Sequence, residues 1–244
     1  MKDSYKDGII YSNIEISPNI YEIILEGSFQ GKPGQFYMIK GWDGLDPFLA
    51  RPISIADLEG GKLKLLYEVK GRGTHIISKL KKGDKLSLLG PLGNTFKLQE
   101  EGRIALISGG VGIAPMLYLA KNLSGKVDIY SGFRNNAYFL NQINPYTKEK
   151  HVATENGSTG HKGYVTDLFD PEKYDLVYSC GPIAMMNKVI KMCRGKVPVY
   201  VSMESRMACG IGACLGCTIE TIRGMERVCK EGPVFKGEEV ILHD

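Results

Sequence analysis

Apolar and polar residues alternate over short stretches in the first hundred positions, and each stretch ends in a glycine- or proline-rich turn. The pattern predicts strands over 21–25, closing at Gly27, and over 35–40, after Gly31-Lys32-Pro33-Gly34. Strands over 52–56 and 63–69 flank Gly60-Gly61, a hairpin signature. Another over 85–89 runs into Gly90-Pro91-Leu92-Gly93. Little of this region has helical period, so a small antiparallel β-barrel is expected. The rhythm changes near Glu100. An apolar strand over 103–108 meets a glycine turn and then a helical period over 115–123. Short strands follow over 127–131, 152–154, 176–179 and 197–202, with a helix over 183–193 between the last two. Strand and helix alternating in this way predict a parallel, doubly wound α/β sheet. Beyond about Glu204 no long periodic segment remains. The expected organisation is a barrel domain over 1–99, an α/β domain over 100–203 and a small third domain over 204–244.

Composition narrows the function classes. With 43% hydrophobic and 24% charged residues, the 244-residue chain is neither disordered nor fibrous. A formal charge of +4 is too small and too dispersed for nucleic acid; the densest basic cluster, Lys79, Lys81 and Lys82, reads as a solvated turn before Gly83-Asp84. The 30 glycines exceed the usual share of about 7% and point to tight turns or backbone that approaches ligands closely. The start carries no continuous apolar run of the secretory type, and the longest uncharged stretch, 104–120, is broken by Gly109, Gly110, Gly112 and Pro115. A cytoplasmic location is expected. In a reducing compartment, six cysteines suggest metal or redox chemistry rather than a disulfide scaffold.

Four of those cysteines, Cys209, Cys214, Cys217 and Cys229, stand at the spacing C-x4-C-x2-C-x11-C. The first three match a plant-type 2Fe–2S spacing, with the fourth ligand further on. Gly210, Gly212 and Gly216 suit a loop curling around a cluster, with backbone N–H groups aimed at sulfur. A structural zinc site is the alternative, although zinc usually takes two short cysteine pairs. Of the two cysteines left over, Cys193 falls late in the predicted helix and reads as a small buried residue. Cys180 ends a predicted strand before Gly181-Pro182, where either core packing or a ligand at the carboxyl end of a sheet explains it.

Ser108-Gly109-Gly110-Val111-Gly112-Ile113-Ala114-Pro115-Met116 joins a strand to a helix, as a pyrophosphate-binding turn does. Pro115 stands where the last glycine of the strict dinucleotide fingerprint belongs, so a plain strand–helix turn remains the other reading. Arg51-Pro52-Ile53-Ser54 begins a barrel strand; its arginine could pair with a phosphate and its serine could meet a cofactor ring. Gly71-Arg72-Gly73-Thr74 reads as a turn.

Together these motifs resemble the ferredoxin reductase-type superfamily, in which a flavin barrel precedes a nicotinamide-nucleotide domain. Met207-Ala208-Cys209-Gly210-Ile211-Gly212-Ala213-Cys214-Leu215-Gly216-Cys217 with the later Cys229 resembles, more narrowly, the electron-transfer subunits of type B dihydroorotate dehydrogenases. Thr154-Glu155-Asn156-Gly157-Ser158 and Lys162-Gly163-Tyr164-Val165-Thr166 are similar to that family too. The resemblance implies FAD contacts at Arg51, Pro52, Ile53, Ser54, Leu66, Tyr67, Glu68, Gly73 and Thr74, with Glu68 standing where relatives often carry a basic residue. It implies 2Fe–2S ligation by Cys209, Cys214, Cys217 and Cys229, and NAD near Gly110, Gly112, Cys180 and Gly181. No catalytic acid or base is expected. It further implies an FMN-containing catalytic subunit as partner, two copies of each in a heterotetramer, and a place in pyrimidine synthesis. Reductase subunits serving ferredoxin, sulfite or hydrogenase systems share the chemistry; Ala208 and Leu215-Gly216 favour the dihydroorotate system. Asp128 and Arg134 leave NADH against NADPH open.

Overall fold

The structure, a computed structural model, describes residues 5–241. Six strands close the expected barrel: β1 (Lys6–Ser17), β2 (Ile20–Glu26), β3 (Phe36–Lys40), β4 (Arg51–Glu59), β5 (Lys62–Glu68) and β6 (Lys85–Leu92). Their order around the barrel is β1-β2-β5-β4-β3-β6, every pair antiparallel. Alternation sends Ile23, Leu25, Ile39, Leu63, Leu65 and Leu88 inward, all essentially inaccessible to water. Two elements escape the sequence pattern. β1 carries register shifts between Ile10 and Ser12 and between Glu15 and Ser17, which scramble its alternation. The Gly71–Thr74 stretch, expected as a turn, instead opens helix α1 (Arg72–Lys79). The Thr74 hydroxyl accepts from the Lys70 and Gly71 N–H groups at 3.1 and 3.2 Å, and Ile77 anchors the helix in the barrel core.

The second layer is a seven-stranded sheet of β7 (Arg103–Gly109), β8 (Lys126–Phe133), β9 (Lys150–Thr154), β10 (His161–Lys162), β11 (Leu176–Cys180), β12 (Val199–Ser202) and β15 (Val234–Lys236). Its order is β10-β9-β8-β7-β11-β12-β15, all parallel except β15. Helix α2 (Ile113–Lys121) covers one face over Leu106, Ile129 and Tyr178. Helix α4 (Ile183–Cys193) covers the other over Ile107, Val177 and Val201. Helices on both faces make the sheet doubly wound, with its switch point between β7 and β11. The short helix α3 (Leu140–Ile143) follows β8.

Apolar on nearly every side, α2 is buried between sheet and barrel. The Tyr118 hydroxyl donates to Gly31 O at 3.0 Å, and Lys121 Nζ reaches Asp57 at 2.9 Å and Glu59 at 2.6 Å. Both barrel and sheet therefore share one helix. The cysteine-bearing segment adds the hairpin β13 (Thr218–Thr221) and β14 (Gly224–Arg227), then returns β15 to the sheet beside β12. Among the described residues no helix is long and apolar enough to cross a membrane.

Candidate redox centre and nucleotide crevice

The four cysteines gather from the loop before β13 and the turn after β14. Cys217 and Cys229 are buried, Cys209 is half-buried and Cys214 is exposed. N–H groups of the chain point at their sulfurs: Gly212 N to Cys229 Sγ at 3.1 Å, Cys214 N to Cys209 Sγ at 3.4 Å, and Cys229 N to Cys217 Sγ at 3.5 Å. The contacts sort the thiols into two pairs, Cys209 with Cys214 and Cys217 with Cys229. Burial opposes ionisation of Cys209, but N–H groups of Cys214, Ile211 and Ala213 and the Cys214 thiol bring it down to about 6. Cys229 is pushed up to about 12 by burial and by the neighbouring Cys217. Among the described residues no three Cys, His, Asp or Glu side chains converge on the place of a single metal ion. Two pairs, with N–H donors turned to sulfur, fit a two-iron cluster that takes two thiolates on each iron better than one zinc ion.

The loop is pressed onto the barrel. Gly210 has φ +72°, and a Cβ there would lie 2.6 Å from Met38 Cγ and 3.1 Å from Leu92 Cδ1. Met38 sits on β3 opposite Pro52 of β4, so the cysteine loop rests one strand away from Arg51–Ser54.

Arg51, Pro52, Ile53 and Ser54 form the start of β4 and are all only half-buried. The Arg51 guanidinium stacks over Trp42 with 5.4 Å to the ring centre, donates to Leu49 O and lies against Gly73, where a Cβ would come within 2.7 Å of it. The start of β4 and the start of α1 thus meet, and Gly73 and Thr74 stand beside the arginine. On β5, Leu66 faces α2, whereas the Tyr67 ring turns into the barrel, stacks on Tyr21 and donates to Asn13 Oδ1 at 3.0 Å. Tyr67 therefore has only backbone to offer a flavin. Glu68 pairs with Lys70 at 2.9 Å.

At the switch point, the turn after β7 meets the end of β11. A Cβ on Gly112 would lie 2.2 Å from Cys180 O and one on Gly181 2.8 Å from Gly109 N, so the glycine turn packs backbone to backbone against Cys180 and Gly181. Cys180 is buried, and desolvation, with the nearby Glu204 charge, raises its thiol far above the usual range despite a hydrogen bond with Ser202. A neutral thiol there is a wall, not a base. Ser202 and Glu204 are the residues sequence reasoning missed; both follow from their place at the carboxyl end of a central strand, where ligands bind. Although the Glu204 side chain reaches solvent, the surrounding protein strips water from its carboxyl and raises it; Lys70 opposes this and Glu68 adds to it.

A closed antiparallel barrel, a doubly wound sheet and a glycine turn at its switch point define a flavin- and nicotinamide-dependent reductase fold, here extended by an iron–sulfur segment. One solved chain, from the NADH-dependent reduced ferredoxin–NADP oxidoreductase, is similar over 99% of this chain and 91% of its own, with 28% identity and a TM-score of 0.87. A ferredoxin–NADP⁺ reductase from Plasmodium falciparum shares the fold, at 21% identity over 81% of this chain and 96% of its own, TM-score 0.66. Residues 204–241 match the family described as the iron–sulfur cluster binding domain of dihydroorotate dehydrogenase B. The dihydroorotate dehydrogenase B (NAD(+)) electron transfer subunit of Clostridium acetobutylicum is 52% identical over the whole of both chains. That of Clostridium perfringens is 44% identical over 98% of this chain and 99% of its own. The chain belongs to the family of dihydroorotate dehydrogenase B electron transfer subunits.

Proposed function

We propose that this chain moves electrons between a dihydroorotate-oxidising catalytic subunit and NAD⁺, in the synthesis of pyrimidines. The observation that carries the reading is the seat of the cysteine loop on Met38, one strand from Arg51–Ser54. Three units, 1–99, 100–203 and 204–244, divide the labour. When bound, the nicotinamide exchanges two electrons as hydride, the 2Fe–2S cluster one at a time, and FAD both ways, which suits it to the middle position.

The chain's own residues do the holding. Arg51, braced by Trp42 and Leu49 O, presents its guanidinium to the flavin phosphates beside the N–H groups of Gly73 and Thr74. Pro52, Ile53 and Ser54 line the flavin's edge, with backbone of Leu66, Tyr67 and Glu68 alongside. Gly110 and Gly112 let backbone approach a pyrophosphate at the start of α2, and Cys180 with Gly181 closes the nicotinamide's pocket. Cys209, Cys214, Cys217 and Cys229 hold the cluster. No side chain need carry a proton for hydride to pass between two bound rings, so positioning supplies the rate.

In the cysteine segment Ile211, Leu215, Ile222 and Met225 are exposed, and Leu215 and Met225 line one hollow with the charged Arg223, Glu226, Arg227 and Glu231. An FMN-containing catalytic subunit docks there in our reading, two copies of each subunit forming a heterotetramer in the cytoplasm. The test is spectroscopic. NADH bleaches the flavin of the isolated chain, dihydroorotate does so only when the catalytic subunit is added, and Cys214→Ala keeps the first reaction while losing the second. Bleaching by dihydroorotate without a partner, or undiminished transfer in Cys214→Ala, would refute the division of labour.

A further inference from the structure

Arg227 closes β14 two residues before Cys229, and its guanidinium faces two ways. On one side it meets Glu231 as a fork: Nε donates to Oε2 at 2.9 Å and Nη2 donates to Oε1, while the Arg227 backbone N–H also donates to Oε2, at 2.8 Å. The two side chains are only 32% and 29% exposed, so water screens this pair less than it does a pair on the open surface. On the other side, Nη1 donates to Gly212 O at 2.7 Å, inside the cysteine loop. Glu231 is itself tied to the barrel. Asn94, just beyond β6, donates through Nδ2 to Glu231 O at 2.7 Å and to Val234 O at 2.8 Å. A line of polar contacts therefore runs from the barrel to the loop that carries the thiols.

What the guanidinium holds is backbone that serves both pairs of thiols. The Gly212 N–H donates to Cys229 Sγ at 3.1 Å. The Gly212 carbonyl shares its planar peptide with the Ala213 N–H, which is turned to Cys209 Sγ. Fixing that carbonyl therefore aims one amide at each pair. Gly212 has φ +83°, and a Cβ there would lie 3.0 Å from Lys230 Cβ and 3.3 Å from Arg227 Nη1, so bare backbone is what fits beneath the arginine. An electron taken up by an iron–sulfur cluster adds negative charge to a ring of thiolates. N–H donors to sulfur and a nearby cation both favour that state and raise the reduction potential. Arg227 brings the cation and, through Gly212, orders the donors.

We infer that Arg227, clamped by Glu231, is a positioning residue for the cysteine ring: it holds the Gly212–Ala213 peptide against both sulfur pairs and so raises the potential at which the ring's cluster takes an electron. The inference rests on the proposed 2Fe–2S ligation by Cys209, Cys214, Cys217 and Cys229. Its test is a mediated redox titration of the full flavin- and cluster-loaded chain, read by electron paramagnetic resonance of the reduced cluster, beside iron and sulfide analysis. Arg227→Gln keeps its iron and sulfide, but its constant for electron uptake falls at least about tenfold, a drop of about 59 mV for one electron. The flavin couple, read in the same titration, stays where it was. Arg227→Lys retains the charge without the fork, and its constant still falls at least about threefold. A parent without iron and sulfide would overturn the cysteine assignment, and this inference with it. If the parent holds its cluster, a constant within twofold of the parent's in Arg227→Gln means that the arginine has no hold on the potential. The same result in Arg227→Lys leaves charge alone at work, and loss of the cluster from both variants makes the arginine a brace for the fold. Each of these three would overturn Arg227 while leaving the ligands in place. Where only Arg227→Gln fails to load, the fall in Arg227→Lys decides by the same limit.

Discussion

Replacing Gly112 by alanine sets two effects of opposite sign against each other. The residue has φ −61° and ψ −10° at the start of α2, a conformation alanine adopts freely, so local preference favours the change by about 0.5–1 kcal/mol. The new methyl would stand 2.2 Å from Cys180 O, 2.6 Å from its carbonyl carbon and 2.9 Å from Gly181 Cα. Non-bonded carbon contacts settle near ~3.5 Å, so about an ångström of relief is needed. It must come from backbone. Cys180 is held in register opposite Ser108 on β7 and Ser202 on β12, and no flexible side chain can swing away. Overpacking costs roughly 1–3 kcal/mol, and backbone against backbone takes the upper end, leaving a net loss of about 2 kcal/mol. For a chain of this size that lowers Tm by roughly 4–8 °C. Prising β7 from β11 also widens the crevice, so NADH-driven bleaching of the flavin slows at least about tenfold, while dithionite reduces the flavin as before. A variant as stable as the parent and equally fast with NADH would refute the reasoning.

Lys121→Met removes the bolt between α2 and the barrel and strands Asp57, only 14% exposed, without its cation. Urea unfolding should show a loss of about 2–3 kcal/mol, and a value near zero would mean that apolar contacts alone fix the two layers. Arg51→Lys keeps the charge but not the fork or the stacking on Trp42; flavin dialyses away from this variant about tenfold more readily, and unchanged retention would remove Arg51 from the site. Cys214→Ala, at the exposed corner of the ring, loses iron and sulfide while Tm falls by no more than about 4 °C, as suits a surface substitution; full iron content would place that ligand elsewhere.

Much of this architecture was legible because its signals are local. Strands over 35–40 and 103–108, the glycine turn before α2 and the helix over 183–193 each carry their own period or punctuation, and the structure forms them within a few residues of the expected bounds. β1 was not legible, since its two register shifts interrupt the alternation that marks a half-buried strand. Nor was α1: Gly71 and Gly73 depress helical preference, and what holds the helix, the Thr74 hydroxyl and Ile77 in the barrel, is tertiary. β15 is three residues long and exists because β12 offers it an edge. In the site, cysteine spacing announced the ring, but the pairing of Cys209 with Cys214 and of Cys217 with Cys229 needed coordinates. The same holds for Ser202 and Glu204, whose meeting with Cys180 depends on which strands lie side by side.

The return of the chain to the sheet after its last cysteine changes what kind of object the cysteine segment is. Met203 N donates to Pro233 O at 2.8 Å and Ser202 pairs with Val234, so the segment leaves and re-enters the fold at one point. It is a handle fastened at both ends, not a trailing appendage. The entropy of bringing its ends together has been met by the sheet before any iron arrives. Stripped of metal, the four sulfurs stay within a short tether of one another, and reassembly is a local event rather than a search by a free tail.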